Sequence, residues 1–157
     1  DQISKGLDEA MRLMQSPKGR DQLSETFKIN PPLSDYDPLS PDEIESFYSY
    51  LLSPFMESAQ YSSPRPAKLC EQFTINGDDY DPLHAFAALI SFGMDVNFTA
   101  SVASLSDVTF EGDYEDRLWI YQTCAEFGYF QSTDTGTNVF GQVFTTRTFI
   151  EYCIELF

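Results

Sequence analysis

The sequence predicts a mainly α-helical protein, and three observations support that fold class. Apolar residues recur at helical spacing over much of the N-terminal half, and Ser-Pro and Asp-Pro pairs precede several of these patterns. The composition, 42% hydrophobic with 15% aromatic residues, is sufficient to fill a core. A chain of 157 residues has the length of one domain, so we expect a globular unit rather than a disordered one.

The first two helices are predicted from periodicity and capping. Residues 1–15 form an amphipathic pattern with charged side chains opposite one apolar stripe: Ile3, Leu7, Ala10, Met11 and Met14. Ser16-Pro17 ends this helix. A shorter helix over residues 16–27 should follow, because Ser16 can cap it and proline is favoured at the first helical position.

A third, long helix is predicted from Pro41 to about Tyr61. Glu43 follows Ser40 at the capping-box distance, and Pro41 stands at the first helical position. Six residues should face inward: Ile44, Phe47, Tyr48, Leu51, Leu52 and Phe55. Pro54 should kink or interrupt the helix because it lacks a backbone N–H.

The pentapeptide Asp-Tyr-Asp-Pro-Leu occurs at residues 35–39 and again at residues 79–83. We interpret both copies as turns that lead into helices, with an Asp cap before a Pro. Between them we expect a short helix over residues 67–73, which carries Cys70, and a turn at residues 76–79. The second copy should open an apolar helix over residues 83–95.

The C-terminal part has less regular patterns. Residues 96–115 have no sustained period and contain the glycosylation sequon Asn97-Phe98-Thr99, as an exposed loop of a secreted protein would. Residues 118–126 fit a strand or a helix equally well by pattern. A polar loop over residues 132–138 and a closing helix over residues 145–157 complete the chain.

The net charge of −16 excludes two classes of partner. Such a chain repels the phosphate backbone of nucleic acids and the surface of anionic membranes. Its acidity is best suited to an acidic compartment, where some carboxylates are protonated. The longest apolar run, residues 85–94, is too short to span a bilayer, and no signal-peptide pattern is present, so we expect a soluble, processed piece of a protein.

Local motifs give little indication of catalysis by this chain. A serine-hydrolase elbow, Gly-x-Ser-x-Gly, does not occur in the 157 residues. The single histidine, His84, is predicted to pack or to cap a helix. The acidic group at Asp78, Asp79 and Asp81 lacks the spacing of a calcium loop, and no cysteine pair suits zinc, so we predict no metal and no cofactor.

Residues 117–131 are the most distinctive stretch of the chain. They hold the single tryptophan, one of three cysteines, and a Gln and a Glu among large apolar residues. Because burying such polar groups without partners is costly, we expect a structured segment rather than plain surface. An odd number of cysteines leaves at least one without a partner in this chain, and disulfides would indicate an oxidising compartment.

This stretch closely resembles a signature of the prolyl-carboxypeptidase family of serine peptidases. The signature's Trp, Tyr-Gln pair and Cys-Thr-Glu triplet are matched by Trp119, Tyr121-Gln122 and Cys124-Ala125-Glu126, with Ala125 in place of the usual Thr. The resemblance is strong over residues 117–157 and consistent with the family over the helical remainder.

The resemblance implies a fold and a role for each part. Family members are α/β-hydrolases with a mostly helical cap over the active site, and they cleave peptides next to proline. Residues 1–116 would then be the cap, and residues 117–157 a segment that returns to the hydrolase domain and borders the substrate pocket. The catalytic Ser, Asp and His would lie outside this chain, in a lysosomal or secreted parent protein.

The resemblance also implies roles for individual residues. It pairs Cys124 with Cys153 in a disulfide and leaves the partner of Cys70 undefined. Pocket-lining positions fall on Trp119, Gln122, Glu126 and Tyr129, and the aromatic ring of Tyr129 could stack on a proline. Gln122 and Glu126 could instead hold the pocket wall together by hydrogen bonds, which we regard as the better interpretation.

The partners implied are a proline-containing peptide, the hydrolase domain of the same parent chain and, as an option, a second copy in a homodimer. An alternative hypothesis belongs to another class: a free-standing acidic helical module that binds or regulates a protein through its aromatic surface. Both hypotheses predict an exposed apolar patch, so this feature does not distinguish them. Knowing where the open reading frame begins and ends would distinguish them best.

Overall fold

The structure is a computed structural model that describes residues 2–61, 66–74, 81–90, 105–109 and 114–157. Within these residues the regular elements are helical, as predicted. In chain order they are α1 (Gln2–Met14), α2 (Pro17–Phe27), a 3₁₀ turn (Leu33–Asp35), α3 (Pro41–Tyr61), α4 (Pro66–Gln72), α5 (Pro82–Ile90), α6 (Tyr114–Gln122), a π-helical turn (Thr123–Phe127) and α7 (Thr146–Leu156).

Helices α1 to α5 form a bundle, here called the N-terminal bundle, around one hydrophobic core. Helix α1 packs on α2 and α5, while α3 packs on α4 and α5. At the centre lie the fully buried rings of Phe47 and Phe86 with the side chains of Leu7, Leu23 and Leu51. The edge-to-face contacts of Phe86 with Phe55 and Phe73 tie α5 to α3 and to the residue that follows α4.

Local capping chemistry sets the helix starts that the sequence predicts. Ser16 accepts a hydrogen bond from the amide of Gly19 at 3.1 Å, and α2 opens with Pro17. Gly19 is required there, because a Cβ would come 2.1 Å from the Leu13 carbonyl oxygen. Ser40 and Glu43 form the reciprocal capping box of α3.

Of the two outcomes predicted at Pro54, a kink or an interruption of the helix, the interruption does not occur. The helix continues from Pro41 to Tyr61 as one element, with Pro54 buried inside it. Pro54 cannot donate to the Tyr50 carbonyl four residues earlier, but the Ser53 hydroxyl donates to that oxygen at 3.0 Å, and the apolar packing of Leu51, Leu52 and Phe55 holds the helix against the core.

The two identical pentapeptides do not behave alike, which corrects the prediction of two helix starts. The Asp81 carboxylate accepts from the Leu83 amide at 3.0 Å and starts α5. Asp37 instead pairs with the buried guanidinium of Arg20 at 3.0 Å, the Asp37–Pro38 bond is cis, and no helix begins at Pro38. An ion pair with a distant residue therefore overrides the local capping tendency.

Residues 114–157, here called the C-terminal segment, dock on the bundle mainly through a loop. The Ser4 hydroxyl donates to the Val139 carbonyl at 3.0 Å, and the Tyr48 hydroxyl donates to the Phe140 carbonyl at 3.1 Å. The ring of Phe140 meets that of Phe55 edge to face at 5.3 Å. The turn predicted at residues 76–79, the end of the helix predicted to reach residue 95 and the sequon at Asn97 lie outside the described residues.

Candidate functional site

Residues 118–126, for which the sequence left strand and helix open, are helical. Helix α6 runs into the π-helical turn, whose last residues are linked by a hydrogen bond from the Gly128 amide to the Thr123 carbonyl at 2.8 Å. Gly128 adopts a left-handed conformation with φ of 57°, which suits glycine and ends the turn. Thr123 is buried, and its hydroxyl donates to the Ile120 carbonyl at 2.8 Å.

A disulfide joins the π-helical turn to α7. The sulfur atoms of Cys124 and Cys153, the pair that the family resemblance implied, are bonded, with 5.5 Å between their Cα atoms. Helix α7 itself starts at the cap Thr145, whose hydroxyl accepts from the Thr148 amide at 3.2 Å. The crosslink therefore holds the π-helical turn and α7 together as one unit.

The distinctive stretch is structured, as helix α6 and the π-helical turn, but most of its residues are exposed, so the expectation that it would not lie at the surface is wrong for this chain. Helix α6 has no buried residue among those described. Trp119 is 49% exposed and contacts the ring of Phe127 at 5.7 Å, while Gln122 and Glu126 are exposed. These side chains are exposed because α6 packs mainly on the π-helical turn and makes far less contact with the helices of the N-terminal bundle.

The exposed large apolar side chains of this region are here called the outer face, and they include two ring contacts, Trp119 with Phe127 and Tyr121 with Phe157. It consists of seven residues that are each 44–76% exposed: Leu118, Trp119, Tyr121, Phe127, Ile150, Ile154 and Phe157. A shallow cavity of about 390 Å³ lies in this surface beside the disulfide. Arg117 fixes one edge, since its guanidinium donates to the Leu156 carbonyl at 3.1 Å and lies 4.6 Å from the Phe157 ring centroid.

A larger groove of about 600 Å³ lies between the two regions. One wall comes from α3, α4 and the start of α1 and is mostly apolar: Ile3, Leu52, Phe55, Met56, Ala59, Pro66 and Leu69. The opposite wall comes from the C-terminal segment and adds polar groups next to apolar rings: Tyr129, Gln131, Ser132, Thr133 and Phe140. None of the lining residues is charged, which is typical of a pocket for a neutral ligand.

The structure separates the four residues that the sequence predicts for a substrate pocket. Tyr129 lines the groove, whereas Trp119 belongs to the outer face, and Gln122 and Glu126 lie in neither set of lining residues. Sequence reasoning missed Phe140, which joins the groove to the bundle core. The exposed free thiol of Cys70 also lines the groove.

The single histidine, which the sequence predicts to pack or to cap a helix, forms a local contact with the Asp that caps α5. The His84 ring nitrogen Nδ1 lies 2.9 Å from the Asp81 carboxylate in the first turn of α5, and both side chains are largely exposed. Among the described residues no group of three or more His, Cys, Asp or Glu side chains could hold a metal ion. No described helix combines the length and hydropathy that crossing a membrane requires.

Comparison with known proteins identifies the family. The family described as serine carboxypeptidase S28 matches residues 1–157. A Caenorhabditis elegans protein named "Putative serine protease K12H4.7" is 27% identical over 152 residues, which cover 86% of this chain and 29% of that protein. The chain thus spans less than a third of the length of this relative. No solved structure matches the chain significantly. The chain belongs to the serine carboxypeptidase S28 family.

Proposed function

We propose that this chain is the helical cap and one wall of the substrate pocket in a serine exopeptidase that cleaves peptides next to proline. Residues 1–116 form the cap and residues 117–157 the segment that returns to the hydrolase domain. The catalytic triad lies elsewhere in the parent protein. The chain itself contributes enclosure and substrate selection, not the nucleophile.

The family match carries this proposal. It covers all 157 residues, yet these residues contain no Gly-x-Ser-x-Gly elbow and a single histidine, which is paired with the Asp that caps its own helix. A serine peptidase needs a nucleophile whose base is oriented by a third group. Because the chain matches only 29% of its relative, the remainder of such a protein is long enough to supply these groups.

The outer face supports a hydrolase domain as the partner of the C-terminal segment. Single exposed apolar residues are ordinary, but four of these seven, Tyr121, Ile150, Ile154 and Phe157, line one cavity beside the disulfide, and such a cluster is of the kind that meets another protein surface. The alternative of a free-standing acidic binding module would use the same surface. The family match favours the peptidase.

The groove between the two regions supports a peptide as the substrate. Its volume of about 600 Å³ falls in the usual range for ligand pockets, its lining is uncharged, and the ring of Tyr129 is 63% exposed beside it. A proline ring packed against Tyr129 would bury apolar area on both partners. The side-chain amide of Gln131 could bind the peptide backbone, whereas the hydroxyls of Ser132 and Thr133 already donate to Asp134 and to the Phe144 carbonyl.

A secreted or lysosomal location is part of the proposal. The Cys124–Cys153 disulfide is stable in an oxidising compartment, and the sequon at Asn97 would be glycosylated on the secretory route. The charge of −16 is best tolerated at acidic pH.

A fluorophosphonate probe, which labels activated serine nucleophiles, tests the division of roles. The 157-residue chain should not be labelled and should not hydrolyse Pro-containing dipeptidyl or carboxypeptidase substrates. The full-length parent protein should be labelled outside this segment. In the parent, Tyr129→Ala should raise KM for Pro-containing substrates by about tenfold, equivalent to about 1.4 kcal/mol, with Tyr61→Ala, at an exposed aromatic that is not a lining residue of the groove, as the matched control.

Labelling of a serine within these 157 residues would overturn the assignment of roles. A parent protein with no labelled serine and no peptidase activity would instead favour the binding module. Equal kinetics for the Tyr129 and Tyr61 variants would remove Tyr129 from the pocket but leave the cap assignment standing.

A further inference from the structure

We infer that Tyr48 and Ser4, two residues of the bundle that do not line the groove, are positioning residues for it. Their hydroxyl groups anchor the tip of residues 132–144, here called the docking loop, and so fix where one wall of the groove stands. The anchor itself follows from the hydrogen bonds of the structure. Its consequence for peptide binding rests on the proposed function.

The docking loop is braced by its own hydrogen bonds. The Thr133 amide donates to the Phe144 carbonyl at 2.6 Å and closes the base of the loop. Inside the loop, the Asn138 side-chain amide donates to the Thr133 carbonyl at 2.7 Å, and the Phe140 amide donates to the Asn138 side-chain oxygen at 2.8 Å. Such a network makes a segment rigid, so a shift at the tip of the loop is transmitted to its base.

The tip of the docking loop is bound by donors that belong to the bundle. Tyr48 on α3 is 2% exposed, and its hydroxyl donates to the Phe140 carbonyl at 3.1 Å. Ser4 on α1 donates to the preceding carbonyl, that of Val139, at 3.0 Å. Gly141 has a φ of 72°, and a Cβ there would lie 3.4 Å from the Tyr48 hydroxyl oxygen. Two helices of one core thus bind successive carbonyls of the loop.

The docking loop carries lining residues of the groove near its tip and at its base. Near the tip, Phe140 lines the groove, and its ring lies 5.3 Å from that of Phe55 on the apolar wall. At the base, Ser132 and Thr133 line the groove. Because the loop is braced between these points, movement of its tip away from the bundle would shift the loop wall and widen the groove. The anchoring hydroxyls therefore act on the groove through the loop.

Tyr50 offers a contrast on the same helix. Its hydroxyl oxygen is buried and has no hydrogen-bond partner among the described residues, and its ring packs near those of Phe27 and Phe47. Replacing either Tyr48 or Tyr50 by phenylalanine removes one oxygen and keeps the ring. Only the change at Tyr48 also removes a bond to the docking loop, so the two variants separate the anchor from the loss of a hydroxyl.

Hydrogen exchange of the full chain tests the anchor. In Tyr48→Phe, the amides of residues 132–144 should exchange about two- to tenfold faster than in the wild type, a range set by the net strength of one hydrogen bond. Exchange in α2 should stay unchanged, and the matched control Tyr50→Phe should leave exchange in the loop unchanged. Ser4→Ala removes the second anchor and should speed exchange of the same amides, which keeps the test decisive if Tyr48→Phe folds poorly.

Kinetics of the parent protein separate positioning from a merely structural role. Tyr48→Phe should raise KM for Pro-containing substrates by about two- to tenfold and leave kcat nearly unchanged, because a displaced wall weakens binding of the ground state and the transition state alike. Tyr50→Phe should change neither constant. A lower kcat with an unchanged KM would mean that Tyr48 only helps the enzyme to fold, and would overturn the positioning role.

The two measurements fail in different ways. Faster exchange in the docking loop with KM and kcat both unchanged would confirm the anchor and remove the groove from peptide binding, which contradicts the proposed function instead. Equal loop exchange in Tyr48→Phe, Ser4→Ala and the Tyr50→Phe control would overturn the inference. Faster exchange spread over the whole chain would do the same, because it reports a general loss of stability.

Discussion

The N-terminal bundle and the C-terminal segment use their apolar residues in opposite ways. Most large apolar side chains of α1 to α5 are buried in one core or partly buried against it, whereas those of α6, the π-helical turn and α7 lie mostly on the outer face. In the C-terminal segment the buried hydrophobic residues are Phe144 and Leu156. Both regions carry large apolar side chains, so the difference lies in whether the chain itself covers them.

The comparison indicates two modes of stability. The bundle is stabilised by its own core, in which removal of apolar area from water is the main driving force. The C-terminal segment is held by a covalent crosslink, by Phe140 inserted beside Phe55, and by side-chain hydrogen bonds such as Tyr152 to Asp42. Its outer face leaves apolar area that another part of the parent protein could cover.

The largest expected effect is a core deletion in the bundle. Phe47→Ala should lower the free energy of unfolding by about 3–5 kcal/mol, because the ring is fully buried and a cavity would remain. The matched variant Ile154→Ala, which is 76% exposed on the outer face, should change it by less than about 0.5 kcal/mol. Urea denaturation of both variants measures the difference. Similar losses at the two sites would contradict the contrast between the regions.

The next effect concerns the crosslink of the C-terminal segment. Replacing Cys124 and Cys153 by serine opens a loop with a sequence separation of 29, which should cost about 3–4 kcal/mol in the chain-entropy treatment. Cys70→Ser should leave stability nearly unchanged, since that thiol is free and exposed. Denaturation without reductant distinguishes them. If the double variant unfolds at the same urea concentration as the wild type, the segment does not depend on its disulfide.

Local chemistry made the helix starts predictable from the sequence. Ser16 with Pro17, and Ser40 with Glu43, need only neighbours within three residues, and the structure places the caps where the sequence predicts them. The pentapeptide at residues 35–39 was not predictable in this way. Its Asp37 is bound by Arg20, a partner 17 residues away that no local pattern identifies.

The candidate site was predictable in part for similar reasons. The pairing of Cys124 with Cys153 and the family followed from a motif, and the position of Tyr129 beside a groove is consistent with it. The exposure of Trp119 could not be predicted from the sequence. An apolar side chain favours burial, but the sequence does not indicate which surface will bury it. Phe140 was missed because its loop has no periodic pattern.

Oxidative footprinting tests most directly whether the outer face is covered by the rest of a longer protein. Hydroxyl-radical labelling of Tyr121, Ile154 and Phe157 should be several-fold weaker in the full-length parent than in the 157-residue chain, while labelling of Tyr61 should be unchanged. Equal labelling of the outer face in both forms would contradict the account, because the C-terminal segment would then not meet a hydrolase domain.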